Sequence, residues 1–315
     1  MKEFVISDKD EGKRLDKYIN GILKNAPSSF VYKMLRKKNI VLNDKKAAGN
    51  ELLKNGDRIK LYLSDDTFSA FSARPATHPV LDANMPPVVY EDDDVLIVDK
   101  PSGMLSQRSK ASDISLNEIC LSYLYERKII TDESLMSFVP SICNRLDRNT
   151  SGLITFAKTY RGAKYLSEAF RSRTIHKYYR CIVVGVINED INLTGRLSKN
   201  RDTNKVTVDK QKGDSFINTV VHPVKTNGKL TEAEVTLITG KTHQIRAHLA
   251  SESHPRLGDD KYGDRNINAI YKKRYGISSQ LLVCHKLVFP DGFSLKALSG
   301  KTLSVKIPEL FTKVM

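Results

Sequence analysis

The stretch "NRLDRNTSG", residues 144–152, sets one carboxylate, Asp147, between Arg145 and Arg148, just ahead of a strand-like "LITFAK". A loop at the mouth of a strand is a common place for a group that acts on a ligand. Flanking arginines equally make Asp147 an ordinary ion-pair member, and taken alone that bland reading is the stronger one. Two later stretches bear on the choice. "HKYYRCIVVG" alternates as a strand, with Tyr179, Cys181 and Val183 on one face and Arg180 and Ile182 on the other. Tyr179 is then either a core residue or a flat wall on which a base can stack. "EVTLITGKTHQIRAHLASESHPRLGDDKYG" is a strand, a Gly-Lys turn and a short helix in which Ile245 and Leu249 face inward. His243 and His248 are five apart and diverge on a helix, so they do not make a metal pair. The four acidic residues Glu91 to Asp94 cannot all converge on one ion, which makes them a solvated turn.

The elements that must position these residues fall into two parts. Of 315 residues, 40% are hydrophobic and 28% charged, ordinary for a globular protein with a large domain and a small one. No apolar run approaches the ~20 residues of a membrane helix, and the start "MKEFVISDKDEG" lacks the core of a secretory signal, so the expected location is cytoplasmic. Cys120, Cys143, Cys181 and Cys284 are scattered, suggesting neither a disulfide framework nor a zinc site. The net charge of +15 points to a polyanionic partner. Between Lys13 and Lys60 there are 13 Lys and Arg against 4 Asp and Glu, a net +9, so the excess is concentrated in one region.

In that region, Leu15, Ile19, Ile22 and Leu23, then Val31, Met34 and Leu35, have helical spacing. The second helix carries Lys33, Arg36, Lys37 and Lys38 on its outer side. An Asn-Asp turn and an Asn-Gly turn punctuate the strands that follow. Two short helices, a basic turn and a small hairpin over residues 12–63 resemble the α-L RNA-binding module. A Pro-, Ser- and Ala-rich linker is expected at 64–87 and a second domain at 88–315, with a helical stretch at 114–137.

With these motifs in order, the chain resembles the RluA family of pseudouridine synthases. "NRLDRNTSGLITFAK" is similar to the family's H-R-L-D-x-x-T-S-G-L motif, "KYYRCIVVG" to its K-x-Y strand, and "GKTHQIRAHL" to its G-R-T-H-Q-I-R-x-H-L segment. "EDDDVLIVDKPSGM" and "LLVCHKLVFP" also fit, so the resemblance runs from about residue 88 to 310, and with the module in front it is most similar to the RluC type. It implies an α+β fold, in which a small αα-β module precedes a mixed, largely antiparallel sheet. The implied function is isomerisation of uridine to pseudouridine in RNA, most of all large-subunit ribosomal RNA. That reaction breaks N1–C1′ and forms C5–C1′, and asks for no redox change, hydrolysis, cofactor or metal.

The resemblance further implies that Asp147 is the catalytic residue, acting at C1′, at C6, or through a glycal. It implies that Arg246 is its ionic partner, and a bidentate pairing would also aim the carboxylate. Tyr179 would stack on the uracil, Arg145 would fill the space left by the flipped base, and Leu282 would floor the pocket. Asn144 departs from the family's histidine; it cannot act as acid or base and is expected to orient the loop by hydrogen bonding. Lys33, Arg36, Lys37 and Lys38 are expected to contact RNA phosphates. Three other readings stay open: a non-catalytic RNA-binding ribosome-assembly protein, an N-glycosylase, and a synthase acting on transfer RNA.

Overall fold

The computed structural model describes residues 1–72, 81, 83–200 and 205–315. Its first part contains β1 (Lys2–Val5), α1 (Leu15–Ile22), α2 (Ser28–Arg36), β2 (Ile40–Leu42), β3 (Lys45–Lys46), β4 (Arg58–Leu61) and α3 (Asp65–Phe71). The strands form an antiparallel sheet in the order β1-β4-β2-β3. Asn43 and Asp44 have φ of 51° and 61°, the left-handed pair that a two-residue hairpin turn requires. Leu15, Ile19 and Ile22 pack on Val31, Met34 and Leu35 in one apolar core, as their spacing requires.

Two boundaries differ from the sequence reading. The module starts before residue 12, because β1 pairs with β4 from Lys2↔Leu61 to Val5↔Arg58. The expected linker at 64–87 opens instead with a helix: Ser64 caps α3 by accepting from the Thr67 N–H, and Phe68 and Phe71 lie against the module core. Residues 73–80 and 82 of that linker lie outside the described residues.

The second part comprises β5 (Val88–Glu91), β6 (Val95–Lys100), α4 (Leu116–Glu126), α5 (Asp132–Ser137), β7 (Ser141–Ile142), β8 (Ser151–Ala157), α6 (Tyr160–Ser172) and β9 (His176–Val184). There follow β10 (Ile191–Lys199), β11 (Val206–Asp209), β12 (Ser215–Thr226), β13 (Leu230–Leu237), α7 (Gln244–Ser251), α8 (Arg265–Tyr275), β14 (Leu282–Val288), β15 (Thr302–Ser304) and α9 (Glu309–Val314). They form one 11-stranded sheet whose main path is β11-β10-β12-β13-β9-β14-β8-β6-β5. Among the described residues, β8 with β14 is its only parallel pair. The architecture is thus mixed α and β with a largely antiparallel sheet. The interior strands β6 and β8 are buried along nearly their whole length, covered on both faces, whereas β10 alternates buried and exposed positions. The helical stretch expected at 114–137 is two helices, broken where Lys128 takes a φ of 57°.

The acidic run is not a solvated turn. Asp94 is buried and accepts three hydrogen bonds from Arg161, at 3.2, 3.0 and 2.8 Å, while Glu91 accepts from Lys158 and Tyr123, both at 2.8 Å. Nor do the two parts stand apart. Met136 of α5 packs into the module core, and buried Lys13 donates to the Ser137 carbonyl while lying over the rings of Tyr18 and Tyr160. No helix among the described residues is long and apolar enough to cross a membrane.

Candidate active site

Asp147 sits on the loop between β7 and β8, and that loop is fastened at three points. The hydroxyl of Ser106 donates to the Leu146 carbonyl (2.7 Å) and accepts from its N–H (3.1 Å). Lys100 is fully buried and donates to the carbonyls of Pro101, Met104 and Arg148, at 2.9, 2.8 and 3.0 Å. Burial pushes its ammonium down to about 8, against the pull of Asp147 and Asp99. Gly152, the second residue of β8, has φ 111°; a Cβ there would lie 2.2 Å from the Cys284 carbonyl oxygen, so only glycine lets β8 approach β14.

Arg246 reaches Asp147 from α7, 99 residues along the chain. Its Nη1 donates to Asp147 Oδ2 at 3.0 Å. The bidentate pairing expected with Asp147 goes instead to Asp259, which accepts from Nε and Nη2 at 2.9 Å each. Burial disfavours the Asp259 anion, yet the bonds from Arg246 and the charge of Arg256 hold its pKa well below the usual carboxylate range. Arg256 is wholly buried and ion-paired to the same carboxylate. Three fixed charges therefore aim the one N–H that meets Asp147. The start of α7 is itself pinned by Gln244, whose amide donates to Asn218 O and Thr219 Oγ1 at 3.0 Å and accepts from Thr239 Oγ1 at 2.8 Å.

Asp147, Gln244 and Arg246 line a cavity of about 520 Å³, within the range of sites that enclose a small organic group. Among the described residues, Asp147 is its sole acidic lining residue; Arg145, Arg171, Arg173, Lys177, Lys241 and Arg246 make the wall strongly cationic. Tyr179 is 5% exposed, and Leu282 on β14 forms another wall. Burial first, then the Cys284 thiol and the Asp147 charge, raises the Tyr179 phenol well above its ordinary pKa. The ring is therefore a neutral surface, and a phenolate base is not its resting form. Arg145 is exposed at the rim with no ion-pair partner among the described residues. Asn144 also lines the cavity, but its amide oxygen accepts from the Thr155 N–H and hydroxyl at 2.7 and 2.9 Å, tying the loop to β8. Lys33, Arg36, Lys37 and Lys38 are exposed on and just beyond α2.

Asp259, Lys100, Gln244 and the pair His243 and Tyr262 were not singled out for the site from sequence. Asp259 lies in the quoted "GDDKYG", where nothing local tells one aspartate from the next. His243 was weighed only as a metal ligand, and no His, Cys, Asp or Glu cluster fit for a metal occurs among the described residues.

Residues 94–251 match a family described as RNA pseudouridylate synthase. The chain is 29% identical to the ribosomal large subunit pseudouridine synthase C of Vibrio cholerae, over 99% of this chain and 96% of that one. It is 30% identical to an uncharacterized RNA pseudouridine synthase of Mycoplasma capricolum, over 85% and 87% of the two chains. In fold it is similar to the human RNA pseudouridylate synthase domain containing 4, with a TM-score of 0.56 and 20% identity over 71% of this chain and 90% of the other. A carboxylate held by a buried arginine beside a tyrosine wall is set in a match of this length, and the chain belongs to the RNA pseudouridylate synthase family.

Proposed function

We propose that this pseudouridine synthase acts on uridines of large-subunit ribosomal RNA, with Asp147 as the reacting carboxylate. The observation that carries the role of Asp147 is the sharing of its oxygens: Oδ2 accepts from Arg246 at 3.0 Å, while Oδ1 has no hydrogen-bond partner among the described residues and is free for the ribose or the base. Tyr179 and Leu282 supply the flat and apolar walls for an extruded uracil, and Arg145 at the rim is placed to fill the gap it leaves. The cationic wall suits the flanking phosphates. The choice of ribosomal RNA rests on the near-full-length relative whose name carries that substrate.

The exposed α2 cations, on a module with its own core, are proposed as the second RNA contact, and cytoplasmic location accords with such a substrate. Mapping pseudouridine in ribosomal and transfer RNA from cells with and without the gene tests the substrate. Sites lost from transfer RNA alone would overturn it. Free uracil released by the purified protein would indicate a glycosylase instead.

A further inference from the structure

His243 occupies a place for which its motif gives no chemical reason. It precedes α7 in the left-handed conformation, φ 53° and ψ 18°, which a non-glycine residue adopts when its surroundings hold it there. Its two ring nitrogens face different partners. Nδ1 lies 3.1 Å from the Tyr262 hydroxyl, with the rings edge to face; Nε2 lies 3.8 Å from Asp147 Oδ2. The Tyr262 oxygen also accepts from the Val206 N–H of β11 at 2.9 Å. A phenol has one proton to give, and the arrangement that uses it directs O–H to His243 Nδ1. The imidazole proton then sits on Nε2, pointing at Asp147. Burial also favours the neutral ring, so Nδ1 remains an acceptor.

We propose that His243 is a positioning residue for Asp147: held by Tyr262 as the Nε2–H tautomer, it joins Arg246 on Oδ2 and leaves Oδ1 as the oxygen presented to the substrate. At 3.8 Å the contact is open in the free protein, and it shortens when RNA closes the site, as hydrogen bonds at catalytic centres commonly do. The Val206 N–H links the same chain of contacts to the strand β11, so the edge of the large sheet helps to set the tautomer. The inference rests on Asp147 being the reacting carboxylate.

The test separates this chemistry from the backbone. Asparagine tolerates a left-handed φ better than glutamine does, so a purely conformational role ranks His243→Asn above His243→Gln. Glutamine, however, reaches its amide to the place of Nε2, whereas asparagine reaches only that of Nδ1. In the full-length protein, single-turnover release of tritium from RNA carrying 5-tritiated uridine is measured beside RNA affinity. His243→Ala and His243→Asn should each slow turnover roughly ten- to hundredfold, the worth of one hydrogen bond to a charged group, with affinity unchanged. His243→Gln should recover most of that loss.

Asparagine equal to or better than glutamine would overturn the proposal, as would glutamine no better than alanine. If the glutamine protein does not fold, the tautomer decides: nitrogen-proton correlation spectra of the wild-type ring should show the proton on Nε2, and a proton on Nδ1 overturns the proposal. Tyr262→Phe should release the ring into a mixture of tautomers. Failure of the underlying reading looks different, since Asp147→Asn would then turn over.

Discussion

Lys33, Arg36, Lys37 and Lys38 stand in solvent with no ion-pair partner among the described residues, while Arg246 touches three carboxylates and Arg256 is sealed from water. The first group is free because an exposed cation costs little to leave unpaired, and unpaired it keeps its reach toward a phosphate. The second has no such freedom: a buried charge that loses its partner is left to a medium that solvates it poorly. One region is tolerant and additive, the other cooperative and brittle.

That contrast can be broken at four places. Asp147→Asn should give the largest effect, a fall in turnover of more than about a thousandfold with RNA affinity nearly unchanged. Significant turnover by purified Asp147→Asn, free of wild-type enzyme, would remove the buried cluster's claim to the chemistry. Asp259→Ala strips Arg256 of its anion and frees Arg246 from its clamp. It should cost about 3–5 kcal/mol and lower the melting temperature by roughly 10 °C, with activity lost as well. A melting curve that barely moves would mean that the cluster is not brittle.

Acid should act on the buried region and spare the exposed one. Burial holds His243, His248 and His285 below the ordinary histidine pKa. An unfolded histidine titrates near ~6.5, so below that pH the unfolded chain takes up protons that the folded chain refuses. The stability they contribute is present above ~6.5 and is lost as pH falls, at up to about 1.4 kcal/mol per pH unit for each ring. Urea unfolding at about pH 7 and about pH 5 should show that decline, and equal midpoints would contradict it. The smallest effect on the fold belongs to the module. Replacing Lys33, Arg36, Lys37 and Lys38 together by Ala should leave melting unchanged while making the salt dependence of RNA affinity shallower by up to about three units of log-log slope. An unchanged slope would return those side chains to a solvated face.

What could be read from the chain follows the same division. The α1 and α2 core residues, the Asn-Asp turn and the exposed cations were legible, because each depends on spacing within a few residues. Asp147, Tyr179 and Arg246 were picked out by the resemblance of their motifs, and the structure brings them to one cavity. Arg246 does meet Asp147, through one N–H, but its bidentate fork goes to Asp259, because that geometry is decided by what lies opposite in three dimensions. Asp94 was misread for a related reason: an acidic run looks solvated until Arg161 folds over it. β1 escaped notice because four residues with no alternation become a strand only when β4 offers an edge. α3 did leave a signal in the Ser64 cap and the Phe68 and Phe71 spacing, but the prolines that follow it masked it.

The seat of α1 against α5, with Met136 and Lys13 as its fasteners, bears on which uridines can be chosen. A binding module on a loose tether would raise the local concentration of any nearby RNA, whatever its shape. If the α2 cations contact RNA as proposed, a module bolted to the catalytic body would work instead as a caliper. An RNA that engages both jaws must present its uridine at one distance and one angle from its second contact. On that proposal selection would turn on the three-dimensional shape of the RNA, and a short oligonucleotide with the right sequence but no second contact would be a poor substitute for the folded target.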